Sequence, residues 1–348
     1  MLATQENVCY SIEKTFRWGE DIVSVLKTIL KVGVGAAAAV MGAGALVYEC
    51  ALNTKVNRFF IRLFDDRPAP EAAAAEQAAA EQTASAADGP EPVKRDWFGE
   101  HKGDDRVITT DVTGRIHAYI IPAQAPSHNW AVLCHGYNAG PEGVGVFAEH
   151  YNAMGFNCIC PSLRGWGNDE KIYCTMGYHD KDICMAWVDY IVSLDADARI
   201  LLHGYSMGAV TVMLATGEKL PPQVRAAVAD CGFTSCWEQY ANVIKLYAKL
   251  PAFPLLYAVN AASILRGNFD IRKNVPLDAV KRSVTPTVFL HGTADDFVPF
   301  EMMDRLYEAC AAPKAKQAIE GAGHAESVFK DPARYWETVD GFIKDRFA

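Results

Sequence analysis

The sequence predicts an α/β fold: a mostly parallel, eight-stranded sheet with helices on both faces. Three observations carry this. Strand-like and helix-like segments alternate from about Asp96 to the C-terminus, as βαβ units require. Several strands are continuous apolar runs, among them "AVLC" and "ILL", as expected where both faces of a sheet are covered. Polar, glycine-containing motifs recur after those strands, and open sheets of this kind bind ligands beyond their carboxyl ends.

Taken in order, "RVITTDVTG" and "RIHAYIIPA" have strand composition around a Thr-Gly turn and open the domain as a hairpin. "NWAVLCHGY" is a buried strand. The helix "PEGVGVFAEHYNAMG" follows, with Pro141 near its start and Gly155 at its stop. "FNCICPS" is the next strand, and "DKDICMAWVDYIVSL" has helical apolar spacing at Ile183, Ala186, Val188 and Ile191. "ARILLHGYS" and "MGAVTVMLATGEKL" form a strand and a helix. "VRAAVADCGF", "TPTVFLHGT" and "KAKQAIEGAG" complete the strands. "EMMDRLYEAC" and "PARYWETVDGFIKDR" complete the helices. One stretch, about 234–284, interrupts the alternation with many large apolar residues, including Trp237, Tyr240, Tyr247, Phe253, Tyr257 and Leu265. It reads as a small helical lid inserted into the 96–348 domain, or equally as a further helix pair packed on the core.

Two segments precede that domain. Residues 1–66 contain an uncharged stretch from Val32 to Tyr48, at the short end of what spans a bilayer. Extended back to about 29, it is expected to be a single-pass transmembrane helix, a signal anchor at the cell membrane. A cleaved signal peptide and a soluble Ala/Gly-rich helix are the alternatives. Basic residues flank both sides, so the positive-inside rule leaves the orientation open. The nearness of the anchor to the amino terminus favours an extracytoplasmic domain. Residues 67–95 are rich in Ala, Glu, Gln and Pro and lack large apolar groups, which makes them a linker.

The net charge of −9 argues against nucleic acid as a partner, because phosphate recognition needs a basic face. The ten cysteines form no CxxC pair, so no metal or redox motif is expected. They read as small buried hydrophobes.

The chemistry centres on Gly204-Tyr205-Ser206-Met207-Gly208, a G-x-S-x-G placed between a strand and a helix. That context suits a nucleophile elbow. The helix start then offers the Met207 N–H to a developing oxyanion. A serine needs a base, and His324, in the small-residue loop "EGAGHAES", is the best placed of nine histidines. The acid that orients it is expected after the penultimate strand, where "FLHGTADDFVPF" offers Asp295 and Asp296. Asp295 is preferred on its spacing to Val298 and Pro299, and Asp230 is a distant third. "CHGYNAG" supplies a tight turn, with the Tyr137 N–H as second oxyanion donor.

Together "HGY", "LRGWG", "HGYSMGA", "DCGFTS", "HGTADDFVP" and "GAGHAES" resemble the α/β-hydrolase family and stand in its order. More narrowly, they resemble membrane-anchored bacterial hydrolases of the prolyl-oligopeptidase-like and BEM46-like group. The resemblance implies Ser206, Asp295 and His324 as catalytic triad, and Tyr137 and Met207 as the oxyanion hole. Two departures stand out. Ser162-Leu163 precede Arg164 where relatives often carry Asp, and no upstream propeller is present.

The expected function is therefore a membrane-tethered serine hydrolase. It would cleave carboxylic esters of a small-molecule or lipid-like acyl substrate through an acyl-enzyme, with no cofactor. An amidase or short-peptide peptidase is the alternative of the same fold. A non-catalytic membrane-tethered binding module is the alternative of another class.

Overall fold

The computed structural model describes residues 36–55, 57 and 96–348. In chain order its elements begin with α1 (Ala36–Leu52), α2 (Trp97–His101), β1 (Asp105–Thr110), β2 (Gly114–Ile121), β3 (Asn129–Cys134) and α3 (Gly145–Ala153). Next come β4 (Asn157–Pro161), α4 (Asp180–Leu194), β5 (Arg199–Tyr205), α5 (Met207–Thr216), β6 (Val224–Asp230), α6 (Cys236–Val243) and α7 (Leu255–Gly267). The chain closes with α8 (Pro276–Arg282), β7 (Thr287–Gly292), α9 (Glu301–Ala309), β8 (Lys314–Ile319), α10 (Ser327–Lys330) and α11 (Pro332–Phe347).

The eight strands form one sheet in the order β1-β2-β4-β3-β5-β6-β7-β8. β1 and β2 pair antiparallel as the expected hairpin, and β2 is antiparallel to β4. All other neighbours are parallel. The continuous apolar runs sit in the middle. In β3, Ala131, Val132, Leu133 and Cys134 are fully buried. Alternation of side chains along the strand sends Val132 and Cys134 to one core with Trp187, Val210 and Met302. It sends Ala131 and Leu133 to the other core with Phe147, Tyr151 and Tyr335. The sheet is thus covered on both faces, as its apolar runs require.

Some helix starts carry side-chain caps. Ser235 accepts a hydrogen bond from the Glu238 N–H at 3.1 Å and opens α6. Asp331 accepts from the Arg334 N–H at 3.0 Å and opens α11, with Pro332 at its first turn.

The 234–284 stretch divides in two. α8 lies against α5, where the Gly217 backbone touches Ala279, and it buries Ala279 and Val280 in the first core. α6, the π-helical turn Ile244–Ala248 and α7 precede it in the chain. The Gln239 amide of α6 donates to the Phe297 carbonyl at 2.8 Å, which sets this helical unit beside the loop after β7.

The expected membrane helix over about 29–48 falls partly outside the described residues, as does the 67–95 linker. Its described part is not placed as a free apolar rod. α1 packs on α7, so closely that a Cβ on Gly44 would lie 2.3 Å from the Ala258 Cβ. Ala43, Tyr48 and Leu52 are buried there. The Leu52 carbonyl accepts from the Cys174 N–H at 2.8 Å, and the Thr54 N–H donates to the Ile172 carbonyl at 2.7 Å. Glu49 pairs with Arg266 and accepts from the Tyr173 hydroxyl. Among the described residues, no helix is long and apolar enough to cross a membrane. Small residues without charge suit such a close helix–helix contact as well as they suit lipid.

Candidate active site

Ser206 follows the last residue of β5 and precedes the first residue of α5. Its backbone has φ 54° and ψ −119°, a region non-glycine residues seldom occupy. The surroundings hold it there. Its N–H donates to the Asp230 carbonyl at 2.8 Å, and its carbonyl accepts from the Val210 N–H at 3.1 Å. The flanking glycines are required by contact. A Cβ on Gly204 would lie 2.1 Å from the Gly208 carbonyl oxygen, and one on Gly208 would lie 2.0 Å from that of Cys134. The second contact also shows that the end of β3 packs directly on the elbow. Gly208→Ala is expected to destabilise the protein by about 3 kcal/mol or more, since backbone rather than a mobile side chain opposes the methyl. A thermal melt in parallel with wild type checks it.

Ser206 Oγ lies 2.8 Å from His324 Nε2. His324 Nδ1 lies 2.7 Å from Asp295 Oδ2. All three residues are buried, and the His324 ring stands 5.0 Å from that of Phe297. Of the three acids considered, Asp295 makes this contact. Asp296 is exposed, and Asp230 lies under the elbow. Asp295 Oδ1 accepts from the N–H groups of Phe297 and Val298 at 3.0 and 2.8 Å. Its Oδ2 also lies 3.0 Å from His291 Nε2. Burial alone would raise its pKa, but His324 and His291 beside it hold the carboxyl well below the usual carboxylate range. Asp295 therefore presents a fixed negative charge to the imidazole.

His291 was legible only as a strand-end histidine, yet it is a second donor to the same carboxylate. Burial pushes its pKa down, but the hydrogen bond and charge of Asp295 outweigh that and the net direction is up. Two other buried histidines are of another kind. His203 lies between the hydroxyls of Tyr151 and Tyr335, and burial lowers its pKa to about 3. His135, lowered by burial to about 4, accepts from the Leu163 N–H at 3.1 Å and ties the "LRGWG" loop to the turn at Gly136.

Burial raises the pKa of Asp230 to about 6, with His291 partly opposing the rise. Because the folded value stands above the unfolded one, its contribution is fully present below the ordinary carboxylate range. It is lost as pH rises through about 6. Asp230→Asn is accordingly expected to lose less Tm than wild type between about pH 4 and about pH 8. Paired melts across that range check it.

The two residues expected to form an oxyanion hole flank the elbow. Met207 is the first residue of α5, so its N–H has no carbonyl to meet within the helix. Tyr137 follows Gly136, whose backbone lies against the Tyr205 ring. The Tyr137 hydroxyl donates to the Ala51 carbonyl and accepts from Asn57 Nδ2 at 3.0 Å. Neither partner was visible in the sequence, where 86 and 80 residues separate them from Tyr137.

The ligand atoms of Cys231, Asp295 and His324 lie within 4.8 Å of one another. As a metal site this set fits poorly, since Asp295 and His324 already bond each other and burial pushes the Cys231 thiol well up. All the described cysteines are buried and free. The arrangement instead suits transfer of the Ser206 proton to an imidazole whose other nitrogen is held by a carboxylate.

A model of the alpha/beta hydrolase family matches residues 131–338. The Bacillus subtilis protein YqkD is 28% identical over 226 residues, which span 65% of this chain and 73% of that one. Among solved structures, the Pyrococcus furiosus esterase Pf2001 superposes with a TM-score of 0.58 at 19% identity, covering 75% of this chain and 100% of its own. An acylaminoacyl peptidase from Pyrococcus horikoshii superposes with a TM-score of 0.53 at 15% identity, covering 70% of this chain and 42% of its own.

Proposed function

The chain belongs to the alpha/beta hydrolase family, and on that premise we propose that it is a serine hydrolase acting on carboxylic esters of a small or acyl-chain substrate. One observation carries the reading: the continuous hydrogen-bonded line from Ser206 Oγ through His324 to Asp295, at 2.8 and 2.7 Å. His324 takes the Ser206 proton as Oγ attacks the ester carbonyl. The N–H groups of Tyr137 and Met207 hold the tetrahedral oxyanion. The same imidazole gives its proton to the departing alcohol and then activates water to release the acid. No step calls for a cofactor. A non-catalytic binding module has no use for a strained serine bonded to such a pair.

The preference for esters rests on the aromatic and apolar groups beside the serine. Trp166 stacks edge-on to Tyr137 at 5.4 Å, and Phe297 meets His324. An amidase or short-peptide peptidase would use the same three residues. Turnover of p-nitrophenyl esters of increasing chain length, beside aminoacyl amides, separates them. Ester turnover that vanishes in Ser206→Ala supports the proposal. Turnover of amides alone selects the peptidase reading, and turnover of neither overturns both. Membrane tethering belongs to the same proposal and rests on the uncharged stretch Val32–Tyr48. It requires the full-length protein to stay with the membrane pellet under carbonate wash and to leave it in detergent.

A further inference from the structure

The geometry points to Asn57, with the Ala51 carbonyl, as a positioning device for the oxyanion hole, supplied from outside the part of the chain that matches the hydrolase family. The inference rests on the proposed function and deepens it. The family match begins at residue 131, whereas the groups that hold the tip of Tyr137 lie at the end of α1 and just beyond it.

A backbone N–H serves an oxyanion only if its peptide plane is fixed before the charge develops. The Gly136–Tyr137 peptide is fixed from two sides. On one side the Gly136 Cα abuts the Tyr205 ring, so that a Cβ there would lie 2.6 Å from it. On the other, the Tyr137 ring lies edge-on to Trp166, and its hydroxyl is held by Ala51 and Asn57. Asn57 is itself buried and tied down. Its Nδ2 also donates to the Cys50 carbonyl at 3.2 Å, and its N–H donates to the Asn53 carbonyl at 2.8 Å. The segment that carries it is bolted to the domain by main-chain bonds to Ile172 and Cys174. The next residue after Tyr137, Asn138, has φ 63°, the left-handed conformation that asparagine adopts at tight turns. Loss of the tether would let the N–H rotate off the reacting oxygen without removing any group that touches substrate.

The test uses the full chain with Tyr137→Phe, which keeps the ring and removes both hydrogen bonds, and Asn57→Ala, which removes one. Each is assayed for kcat and KM on a p-nitrophenyl ester, and for the rate of fluorophosphonate labelling. The expected result is a kcat fall of about tenfold or more in Tyr137→Phe and about threefold in Asn57→Ala, with KM within about twofold, since a small misplacement of a transition-state donor acts on kcat. The labelling rate falls in parallel. A merely structural role would lower Tm and leave kcat and labelling where they were, and that outcome overturns the inference. If Asn57→Ala fails to fold, Tyr137→Phe decides alone. Ser206→Ala keeps the two layers apart. Hydrolysis that survives in it near the wild-type rate removes the proposed function, and this inference with it. Ser206-dependent hydrolysis with kcat unmoved in both variants sinks only the inference.

Discussion

Asp295→Asn is expected to lower kcat about ten-thousand-fold while the protein still folds. The hydrogen bonds dictate the outcome. Oδ1 of Asp295 is held by the N–H groups of Phe297 and Val298, so in the variant the amide oxygen must take that place. The new NH₂ then stands where Oδ2 stood, facing His324 Nδ1 at 2.7 Å and His291 Nε2 at 3.0 Å. His324 can meet an NH₂ only with an unprotonated Nδ1. Its proton then sits on Nε2, pointing at Ser206, and the ring can no longer accept the serine's proton. The variant also lacks the charge that stabilises the imidazolium. Steady-state ester hydrolysis beside a thermal melt checks it. A kcat within tenfold of wild type, in a folded protein, would remove Asp295 from the role proposed here.

His324→Ala is expected to cost more, about a million-fold in kcat, and to cost no more when Ser206→Ala is added. The two side chains form one unit at 2.8 Å: the serine without the ring is an ordinary alcohol, and the ring without the serine has nothing to deprotonate. The residual rate then reflects binding and the oxyanion donors alone. Single-turnover rates for the two single variants and the double variant should agree within a few-fold. If the double variant falls well below either single, the two residues act independently and the proton-transfer line is wrong.

Much of this site can be read in the chain because its parts are local. The strand-end glycines mark where backbones must touch, as Gly204 and Gly208 do. The continuous apolar run of β3 marks a strand buried on both faces. The order Ser206, Asp295, His324 follows from which strand each residue ends. The spacing of Asp295 to Val298 also has a physical counterpart, the hydrogen bond from the Val298 N–H to Oδ1, which Asp296 could not make from its exposed position. What could not be read are contacts between residues far apart in sequence. Nothing in "CALNTKVN" says that Asn57 meets a phenol 80 residues later. Nothing about His291 says that its Nε2 reaches the carboxylate beneath His324. The uncharged stretch to Tyr48 suits lipid and a helix partner alike, because composition reports that a surface is apolar and small, not what covers it. Here Ala258 lies against Gly44. The 276–282 helix is hard to separate from the irregular stretch because the large apolar residues before it obscure the return of the β–α alternation.

In the proposed mechanism Ser206 is a nucleophile activated by His324. Intact-protein and peptide mass spectrometry after exposure to a fluorophosphonate puts that activation to the test. An activated Ser206 predicts a single adduct on that residue in the native full-length protein, absent after denaturation and absent in Ser206→Ala. No adduct on the native protein, or an adduct that persists in Ser206→Ala, would contradict it.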